Sequence, residues 1–223
     1  MRDDVKRRAD REPIAWILGT KGFWSLDLAS HKDVLVPRPD SETLVEAALT
    51  LIPEDERCFV ADVGSGTGAI GLAIAKDRPE VRLFSIDVSD PALQCTKENV
   101  RRLEMTDRVA VLKGSLLTPI PMDRQIDVVV SNPPYIPSAD IEGLAPEISR
   151  HEPLLALDGG VDGLSIYREL IPAAAARATK AVLVEHGDGQ HQAVSSMMRE
   201  AGLVEITEHT DLTGTVRVVS GRR

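Results

Sequence analysis

From Arg57 onward the sequence alternates between short apolar runs and amphipathic stretches, and this alternation constrains the fold most strongly. Short runs rich in Val, Ile and Leu are typical of buried strands, whereas apolar residues at helical spacing are typical of surface helices. We predict strands at 58–63, 81–86, 109–113, 126–130 and 181–185, helices at 69–76, 91–103, 164–178 and 190–201, and closing strands at 203–208 and 216–220. The pattern predicts an α/β fold whose mostly parallel sheet is covered on both faces, with one antiparallel strand at an edge.

The N-terminal part of the sequence predicts a smaller unit before this sheet. Residues 1–12 are almost all charged, and we expect a frayed terminus there. Strands at 22–28 and 34–36 are predicted to pair as a β-hairpin around a polar turn. A helix is expected to begin near Asp40 or Ser41, since both residue types are good N-caps.

A glycine-rich stretch joins the first strand of the alternating region to its helix: Asp62-Val63-Gly64-Ser65-Gly66-Thr67-Gly68. Glycines let the backbone turn tightly and approach a ligand closely. Asp87 ends the next strand, where a carboxylate is placed to accept hydrogen bonds from both hydroxyls of a ribose. The two features together predict a nucleoside-containing cofactor.

The loop alone leaves the choice of nucleoside open. Gly64, Gly66 and Ala69 satisfy the dinucleotide fingerprint, so an NAD-dependent oxidoreductase remains an alternative at this point. S-adenosylmethionine is favoured because Asp62 puts a carboxylate inside the loop, where it suits an ammonium group better than a pyrophosphate. The third glycine, Gly68, also comes one residue early for the dinucleotide pattern.

The strand predicted at 126–130 ends in Ser131-Asn132-Pro133-Pro134-Tyr135, which has no role in hydride transfer that we can name. Methyl transfer from S-adenosylmethionine to the nitrogen of an amide or aromatic amine is difficult, because the lone pair of that nitrogen is delocalised and makes it a poor nucleophile. Two acceptors aimed at its N–H bonds hold the lone pair toward the methyl group and stabilise the developing positive charge. The Asn132 side-chain oxygen and the Pro133 carbonyl are candidates for these acceptors, and Tyr135 for packing on a flat substrate group. This chemistry suits any planar NH₂ group.

The amino-acid composition bears on which class of substrate accepts the methyl group and on the cellular compartment in which the protein works. A net charge of −9 over 223 residues argues against a protein that works on a nucleic-acid backbone. Two cysteines, Cys58 and Cys95, and the lack of a signal-peptide pattern predict reduced thiols and a cytoplasmic protein. We expect no membrane span, because no apolar run approaches ~20 residues. We also expect no metal site, because the histidines lack ligand spacing.

Nearly the whole chain resembles the HemK/PrmC family of protein-(glutamine-N5) methyltransferases. Members of that family modify the glutamine of the Gly-Gly-Gln motif in class I peptide-chain release factors. Besides the glycine loop and the Asn-Pro-Pro-Tyr motif, the resemblance rests on segments 13–19, 36–42, 151–153, 183–187 and 211–214. It implies a class I S-adenosylmethionine-dependent methyltransferase, with a Rossmann-like, mostly parallel seven-stranded sheet, an antiparallel edge strand and a short preceding β-hairpin. It divides the chain into an N-terminal segment and hairpin (1–39) and a catalytic domain (40–223).

The resemblance also implies roles for individual residues. Those implied to bind S-adenosyl-L-methionine are Asp62, Gly64, Ser65, Gly66, Thr67, Gly68, Asp87, Ser115, Leu116 and Asn132. Those implied to be catalytic are Asn132, Pro133 and Tyr135, and those implied to bind the substrate are these three with Pro134, Arg38 and Glu42. For Arg38 and Glu42, a helix-capping turn with a surface ion pair is an equally supported alternative.

Two departures from the family pattern affect these expectations. Family members carry a small helical domain where this sequence has about a dozen residues, so we expect segment 1–39 to be a remnant or linker of the substrate-binding region. Ser115 and Leu116 stand where the family usually has an acidic residue and often an aromatic one, so we expect somewhat weaker cofactor binding. The alternatives to release-factor methylation are an adenine-N6 or other amino methyltransferase acting on nucleic acid, and a truncated cofactor-binding module without turnover.

Overall fold

A seven-stranded sheet forms the centre of the molecule, in a computed structural model that describes residues 2–223. Two strands form a separate hairpin: β1 (Thr20–Phe23) and β2 (Leu26–Ala29). The seven strands of the sheet are β3 (Cys58–Val63), β4 (Val81–Asp87), β5 (Val109–Lys113), β6 (Ile126–Ser131), β7 (Ala178–Glu185), β8 (Val204–Thr210) and β9 (Val216–Arg222). The α-helices are α1 (Arg2–Ala9), α2 (Ile14–Leu18), α3 (Glu42–Leu51), α4 (Ala69–Asp77), α5 (Asp90–Arg102), α6 (Pro146–Ser149), α7 (Ser165–Arg177) and α8 (His191–Glu200). Every strand and helix predicted after Arg57 is present, with ends that differ by a few residues at most.

The order of strands in the sheet is β5-β4-β3-β6-β7-β9-β8. The strands from β5 to β7 are mutually parallel, and β9 is antiparallel to both of its neighbours. The prediction of a mostly parallel seven-stranded sheet with antiparallel pairing at one edge is therefore confirmed, and β9 lies between β7 and the edge strand β8.

The strand order reverses between β3 and β6, which are hydrogen-bonded neighbours with Val63 opposite Ser131. The loops that leave these two strands turn to opposite sides, and such a reversal opens a crevice at the carboxyl ends of parallel strands. The topology therefore brings the glycine loop after Val63 and the Asn-Pro-Pro-Tyr segment after Ser131 to one place.

Two apolar layers hold the sheet, one on each face. Alternate residues of β3 belong to different layers: Val60 packs with α3 and α4, whereas Ala61 packs with α7 and α8. This explains why the parallel strands read as continuous apolar runs rather than as alternating ones. Cys58 and Cys95 are both buried free thiols.

The β-hairpin exists, but the prediction that 22–28 pairs with 34–36 is wrong. The hairpin pairs β1 with β2, with Phe23 opposite Leu26, so its turn lies at Trp24 and the following serine. Trp24 has a φ of 54°, and its N–H donates to Glu42 Oε1 at 2.7 Å. Val34 and Val36 are buried without strand pairing, and Trp16 Nε1 donates to the Val34 carbonyl at 3.2 Å.

The expectation of a frayed terminus is wrong for Arg2–Ala9, which form helix α1; Met1 lies outside the described residues. Acidic residues in its first turn and basic residues in its last turn match the helix dipole. Arg8 and Arg11 also form ion pairs with Glu147 of α6, at 2.7 and 3.0 Å. Charged side chains of this segment therefore form ion pairs with a residue that lies far away in the sequence.

The long segment between β6 and α7, predicted as a loop, contains short helical turns at Ser138–Gly143 and Leu154–Ala156 in addition to α6. Its two ends meet where Ile136 N donates to the Leu157 carbonyl at 3.0 Å and Gly159 N donates to the Ile136 carbonyl at 2.9 Å. This closure returns the chain to the carboxyl ends of the sheet.

Candidate active site

A cavity of about 280 Å³ opens at the carboxyl ends of β3, β4 and β6. Eight of the predicted site residues line it: Gly64, Gly66, Asp87, Ser115, Leu116, Asn132, Pro133 and Pro134. These residues come from four separate loops, and the parallel order of the strands places all four loops at the same end of the sheet. This is the end of the sheet at which the sequence predicts cofactor binding and substrate binding.

The glycine loop is held against the neighbouring strand by its own backbone. Gly64 N and Ser65 N both donate to the Ile86 carbonyl, at 2.9 and 3.0 Å. Gly68 has a φ of 84°, and a Cβ there would lie 2.9 Å from a side-chain carbon of Leu72. The turn therefore needs glycine at position 68 both for its backbone conformation and for close packing on α4.

Asp87 is a preorganised acceptor at the end of β4. Its Oδ2 accepts from Gly66 N and its Oδ1 accepts from Ser89 N, each at 2.9 Å. Each carboxylate oxygen has a further acceptor site beyond these bonds. Since Asp87 also lines the cavity, both oxygens are fixed in a position suited to a pair of vicinal hydroxyls.

Asp62 lies beneath the glycine loop and is 1 % exposed. Its Oδ2 accepts from Gly71 N at 3.0 Å, whereas its buried Oδ1 has no hydrogen-bond partner within residues 2–223. Burial raises the pKa of Asp62 to about 7, and the Gly71 hydrogen bond opposes that rise. A buried acceptor without a partner is costly, which points to a cationic or donor group that completes it.

Four predicted cofactor residues do not line the cavity: the buried Asp62, and Ser65, Thr67 and Gly68. The Thr67 carbonyl accepts from Asn99 Nδ2 at 2.9 Å, and Gly68 N donates to the Ser65 carbonyl at 2.7 Å. These contacts shape the loop from behind rather than present groups to the cavity.

The apolar residues that form the walls of the cavity cannot be identified from the sequence. They include Val34 and Leu35 from the segment after the hairpin, Val88 after β4, Leu155 from the long segment and Ile166 on α7. Each is an ordinary apolar residue within a packed stretch, so no local signal marks it. Leu116, which was predicted, lines the cavity with a φ of 52°.

The Asn132 side chain is oriented by a residue of another element. Its Nδ2 donates to Ser41 Oγ at 3.1 Å, and its Oδ1 makes no hydrogen bond within the described chain. A Cβ on Gly64 would lie 3.9 Å from the Asn132 carbonyl oxygen, so the glycine loop and this corner are direct neighbours. The corner therefore combines a backbone that adjoins the glycine loop with a side-chain oxygen that has no partner among residues 2–223.

Tyr135 packs behind this corner and does not line the cavity. Its carbonyl accepts from Gln190 Nε2 at 2.9 Å, and its ring lies against Gly187, where a Cβ would meet it at 3.0 Å. Burial raises the pKa of Tyr135 to about 12, and the nearby Glu185 carboxylate adds to that rise. The phenol is therefore neutral at physiological pH.

Arg38 and Glu42 also lie outside the cavity lining. Arg38 Nη2 forms an ion pair with Glu152 Oε2 at 2.6 Å, and burial raises the pKa of Glu152 while Arg38 opposes that rise. Glu42 accepts from Trp24 N at the hairpin turn. Both side chains therefore have structural partners.

Two further properties bear on the class of site. Within residues 2–223 no group of three or more His, Cys, Asp or Glu side chains is arranged to hold a metal ion. In the same part of the chain, none of the helices has the length and apolar character that crossing a membrane requires.

Comparison with known proteins places these features in context. The profile of the Methyltransferase small domain family matches residues 40–148. The release factor glutamine methyltransferase of Caulobacter vibrioides is 44 % identical over 223 residues, which cover 99 % of this chain and 77 % of that protein. The enzyme of the same name from Geobacter sulfurreducens is 41 % identical over 220 residues, covering 98 % and 76 %.

Two solved structures share the fold. The protein-(glutamine-N5) methyltransferase (release factor-specific) from Alicyclobacillus acidocaldarius superposes with a TM-score of 0.51 at 28 % identity, covering 87 % of this chain and 98 % of that one. The hMettl16 catalytic domain superposes with a TM-score of 0.70 at 14 % identity, covering 87 % and 74 %. At that low identity the second likeness concerns the fold alone.

Proposed function

The chain belongs to the family of release factor glutamine methyltransferases, and we propose that it methylates the side-chain amide nitrogen of the glutamine in the Gly-Gly-Gln motif of class I peptide-chain release factors. The observation that carries this proposal is the Asn132 side-chain amide oxygen, which has no hydrogen-bond partner among residues 2–223; its residue lines the same cavity as Gly64 of the glycine loop. An acceptor in that place suits an N–H-bearing substrate group that must meet a methyl donor held by the loop.

As a member of this family the chain uses S-adenosyl-L-methionine, which supplies an electrophilic methyl group on its sulfonium centre. The residues present fit this cofactor. The unpartnered buried Oδ1 of Asp62 suits its ammonium group directly or through water, and the two fixed oxygens of Asp87 suit its ribose hydroxyls. The apolar walls around Leu116 suit the adenine ring.

The substrate amide requires acceptors rather than a base. Its nitrogen becomes acidic as it attacks, so the residues around it need only hold its two N–H bonds and stabilise positive charge. We assign these tasks to Asn132 Oδ1 and the Pro133 carbonyl, neither of which has a hydrogen-bond partner among the described residues. Two successive prolines limit the backbone rotation that would misdirect the carbonyl.

In this proposal four further residues determine the shape of the substrate site: Tyr135, Pro134, Arg38 and Glu42. Tyr135 supports the corner from behind through its contact with Gly187. The partners of Arg38 and Glu42 favour a structural role over direct contact with the substrate, because each side chain is already engaged.

We also propose the division of the chain into residues 1–39 and 40–223, with the first part serving the substrate side of the site. Its helix α1 is tied to α6 of the catalytic part by the Glu147 ion pairs. We further propose that the protein acts in the cytoplasm, where release factors work and where its two free thiols stay reduced.

The proposal is tested by incubating the protein with methyl-labelled S-adenosyl-L-methionine and, in parallel reactions, a class I release factor, duplex DNA and RNA. We expect label in the release factor only. Label in DNA or RNA instead would replace the proposal with the nucleic-acid alternative. Cofactor binding by calorimetry without label in any substrate would support a binding module without turnover.

A further inference from the structure

Ser41 and Glu185 lie behind Asn132, on the side away from its free amide oxygen. We propose that they are positioning residues, which lock the Asn132 side chain so that its oxygen, and not its NH₂ group, faces the methyl acceptor. The inference rests on the proposed function for its catalytic consequence. Its structural content stands on three side chains from three elements: Ser41 before α3, Asn132 after β6 and Glu185 at the end of β7.

The first step concerns which end of the Asn132 amide faces Ser41. An asparagine side chain can rotate by half a turn and exchange its oxygen for its NH₂ group, with little change in shape. Only one of the two orientations offers an acceptor to a substrate N–H. The orientation with Nδ2 toward Ser41 Oγ, at 3.1 Å, leaves Oδ1 free for that purpose.

The second step concerns the single hydrogen of Ser41. If the hydroxyl hydrogen pointed at Asn132, the amide would turn its oxygen inward to accept it. Glu185 gives that hydrogen another destination, because an ionised carboxylate accepts hydrogen bonds and cannot donate them. The pairing of β6 with β7 puts Ser131 opposite Val184, so Asn132 and Glu185 are the next residues of neighbouring strands. Burial raises the pKa of Glu185, and Ser41 and Asn132 both oppose that rise, as expected of side chains near its carboxylate.

The third step concerns the environment that keeps this arrangement away from water. Ser41 is 4 % exposed and Glu185 is 2 % exposed. Glu185 Oε2 makes no hydrogen bond within residues 2–223, so the carboxylate retains acceptor capacity. A buried carboxylate with spare acceptor sites favours donors on every neighbouring group, and the Asn132 NH₂ group is one of them.

The charged and titratable groups that face Glu185 determine when it is ionised. They are Asp40 and Arg217 on the elements packed against it, with the phenols of Tyr135 and Tyr167. Burial, which is the largest effect, raises the pKa of Glu185 to about 7; Asp40 also raises it, and Arg217 lowers it. A protonated Glu185 becomes a donor and no longer selects the productive orientation of Asn132.

The arrangement therefore has a pH dependence with a defined sign. Because the ionised form of Glu185 is the productive one, turnover rises with pH and reaches half of its plateau near the Glu185 pKa. The substrate amide does not titrate in this range. Asp62 also has a pKa of about 7, but it acts on cofactor binding, so the profile is measured with saturating cofactor. In Glu185→Gln we expect kcat to fall roughly 10–100-fold and its pH dependence between pH 6 and 8 to flatten.

A matched set of variants separates positioning from general damage. Ser41→Ala removes the hydroxyl and is expected to lower kcat with a small change in KM and in cofactor affinity, whereas Ser41→Thr keeps a hydroxyl and restores kcat. The controls are Ser195→Ala, a buried serine of α8, and Asp127→Asn, a buried carboxylate at the opposite end of β6. We expect both controls to keep the wild-type pH profile. The proposal would be overturned if Ser41→Ala and Glu185→Gln both kept the wild-type kcat and the wild-type pH profile.

A measurement on the wild-type protein tests the same idea without any methyl transfer. The chain contains only two asparagines, Asn99 and Asn132, so selective ¹⁵N labelling of asparagine gives two side-chain NH₂ signals. We expect the Asn132 signal to titrate with a midpoint near that of turnover. Asn99 donates to the Thr67 and Ala29 carbonyls and serves as the internal control.

The two proposals fail in different ways. An Asn132 signal that is constant from pH 6 to 8 would overturn the positioning role, whatever the substrate proves to be. A titrating Asn132 signal together with no label in a release factor would overturn the proposed function and leave the positioning role intact.

Discussion

At the scale of single residues, Asp62 carries an energetic cost that its function explains. Its folded-state pKa of about 7 lies above the ordinary value near 3.8, so the folded protein binds more protons than the unfolded chain between these two pH values. Stability from this group therefore declines as pH rises from about 4 to about 7, and the cost is complete above that. A carboxylate kept at such a cost is expected to gain its compensation from a bound cationic group.

Asp62→Asn tests this balance. We expect the variant to be more stable than wild type at pH 8 by about 1–2 kcal/mol, with little difference near pH 4, because the neutral amide avoids the buried charge. Cofactor affinity should fall at the same time. Urea unfolding at the two pH values and calorimetric titration with cofactor measure both effects. Lower stability at pH 8 would show that the carboxylate is satisfied in the folded protein.

Asn132→Ala separates chemistry from cofactor binding. The free Oδ1 is expected to act mainly in the transition state, so the variant should lose roughly 10²–10³ in kcat. Its cofactor dissociation constant should change only a few-fold, since the cavity keeps its other lining residues. Steady-state kinetics and calorimetry give the two numbers. Equal losses in both would make Asn132 chiefly a cofactor ligand.

At the scale of elements, the glycine loop is rigid because of its surroundings as well as its backbone. Gly66 and Gly68 both have positive φ, but a Cβ on Gly66 meets nothing within 4 Å, whereas one on Gly68 meets Leu72 and Thr96. Both alanine variants therefore carry backbone strain, and only one of them carries a packing clash.

We expect Gly68→Ala to destabilise the protein by about 1–3 kcal/mol more than Gly66→Ala does. Gly66→Ala serves as the matched control, because its backbone strain is of the same kind. Denaturant unfolding monitored by circular dichroism measures the difference. If the two variants unfold at the same denaturant concentration, packing of the loop on α4 contributes nothing to stability.

Elements could be predicted from the sequence where local pattern and tertiary packing agree. The central strands β3, β6 and β7 are largely buried on both faces, so their apolar runs mark them directly. The hairpin turn could not be located, because Trp24 holds its positive φ with the help of Glu42 from α3 and has no turn signature of its own. Helix α1 was missed for a related reason, since its Glu147 contacts lie far away in the sequence.

The same distinction applies to the site. Glycines and the Asn-Pro-Pro-Tyr motif are local patterns, and they pointed to the correct end of the sheet. The contact of Asn132 with Ser41 joins residues that are 91 positions apart, so no local pattern reveals it. Ser41 could be identified only as an N-cap, and Glu185 only as a carboxylate at the end of a strand.

At the scale of the whole molecule, the cavity joins the N-terminal segment to the catalytic part, because Val34 and Leu35 form one of its walls. A ligand that fills it is therefore expected to stabilise the entire fold. With S-adenosylhomocysteine at about 100 times its dissociation constant, binding adds about 2.7 kcal/mol. We expect the melting temperature to rise by roughly 5–10 °C.

This shift should depend on the cavity itself. Asp87→Ala removes a hydrogen-bond acceptor that lines the cavity. In this variant the rise in melting temperature caused by the ligand should largely disappear at the same ligand concentration. A rise that persists in Asp87→Ala would place the nucleoside elsewhere. Differential scanning calorimetry with and without ligand gives the comparison directly.

Methyl transfer to a protein glutamine leaves a product that mass spectrometry identifies. A class I release factor is treated with wild-type protein and S-adenosyl-L-methionine, digested, and its Gly-Gly-Gln peptide fragmented. We expect a single added methyl group on the glutamine side chain, present with wild-type protein and absent with Asn132→Ala. A Gly-Gly-Gln peptide that stays unmodified, while methyl groups are transferred to a nucleic acid or to another residue, would contradict the proposed function.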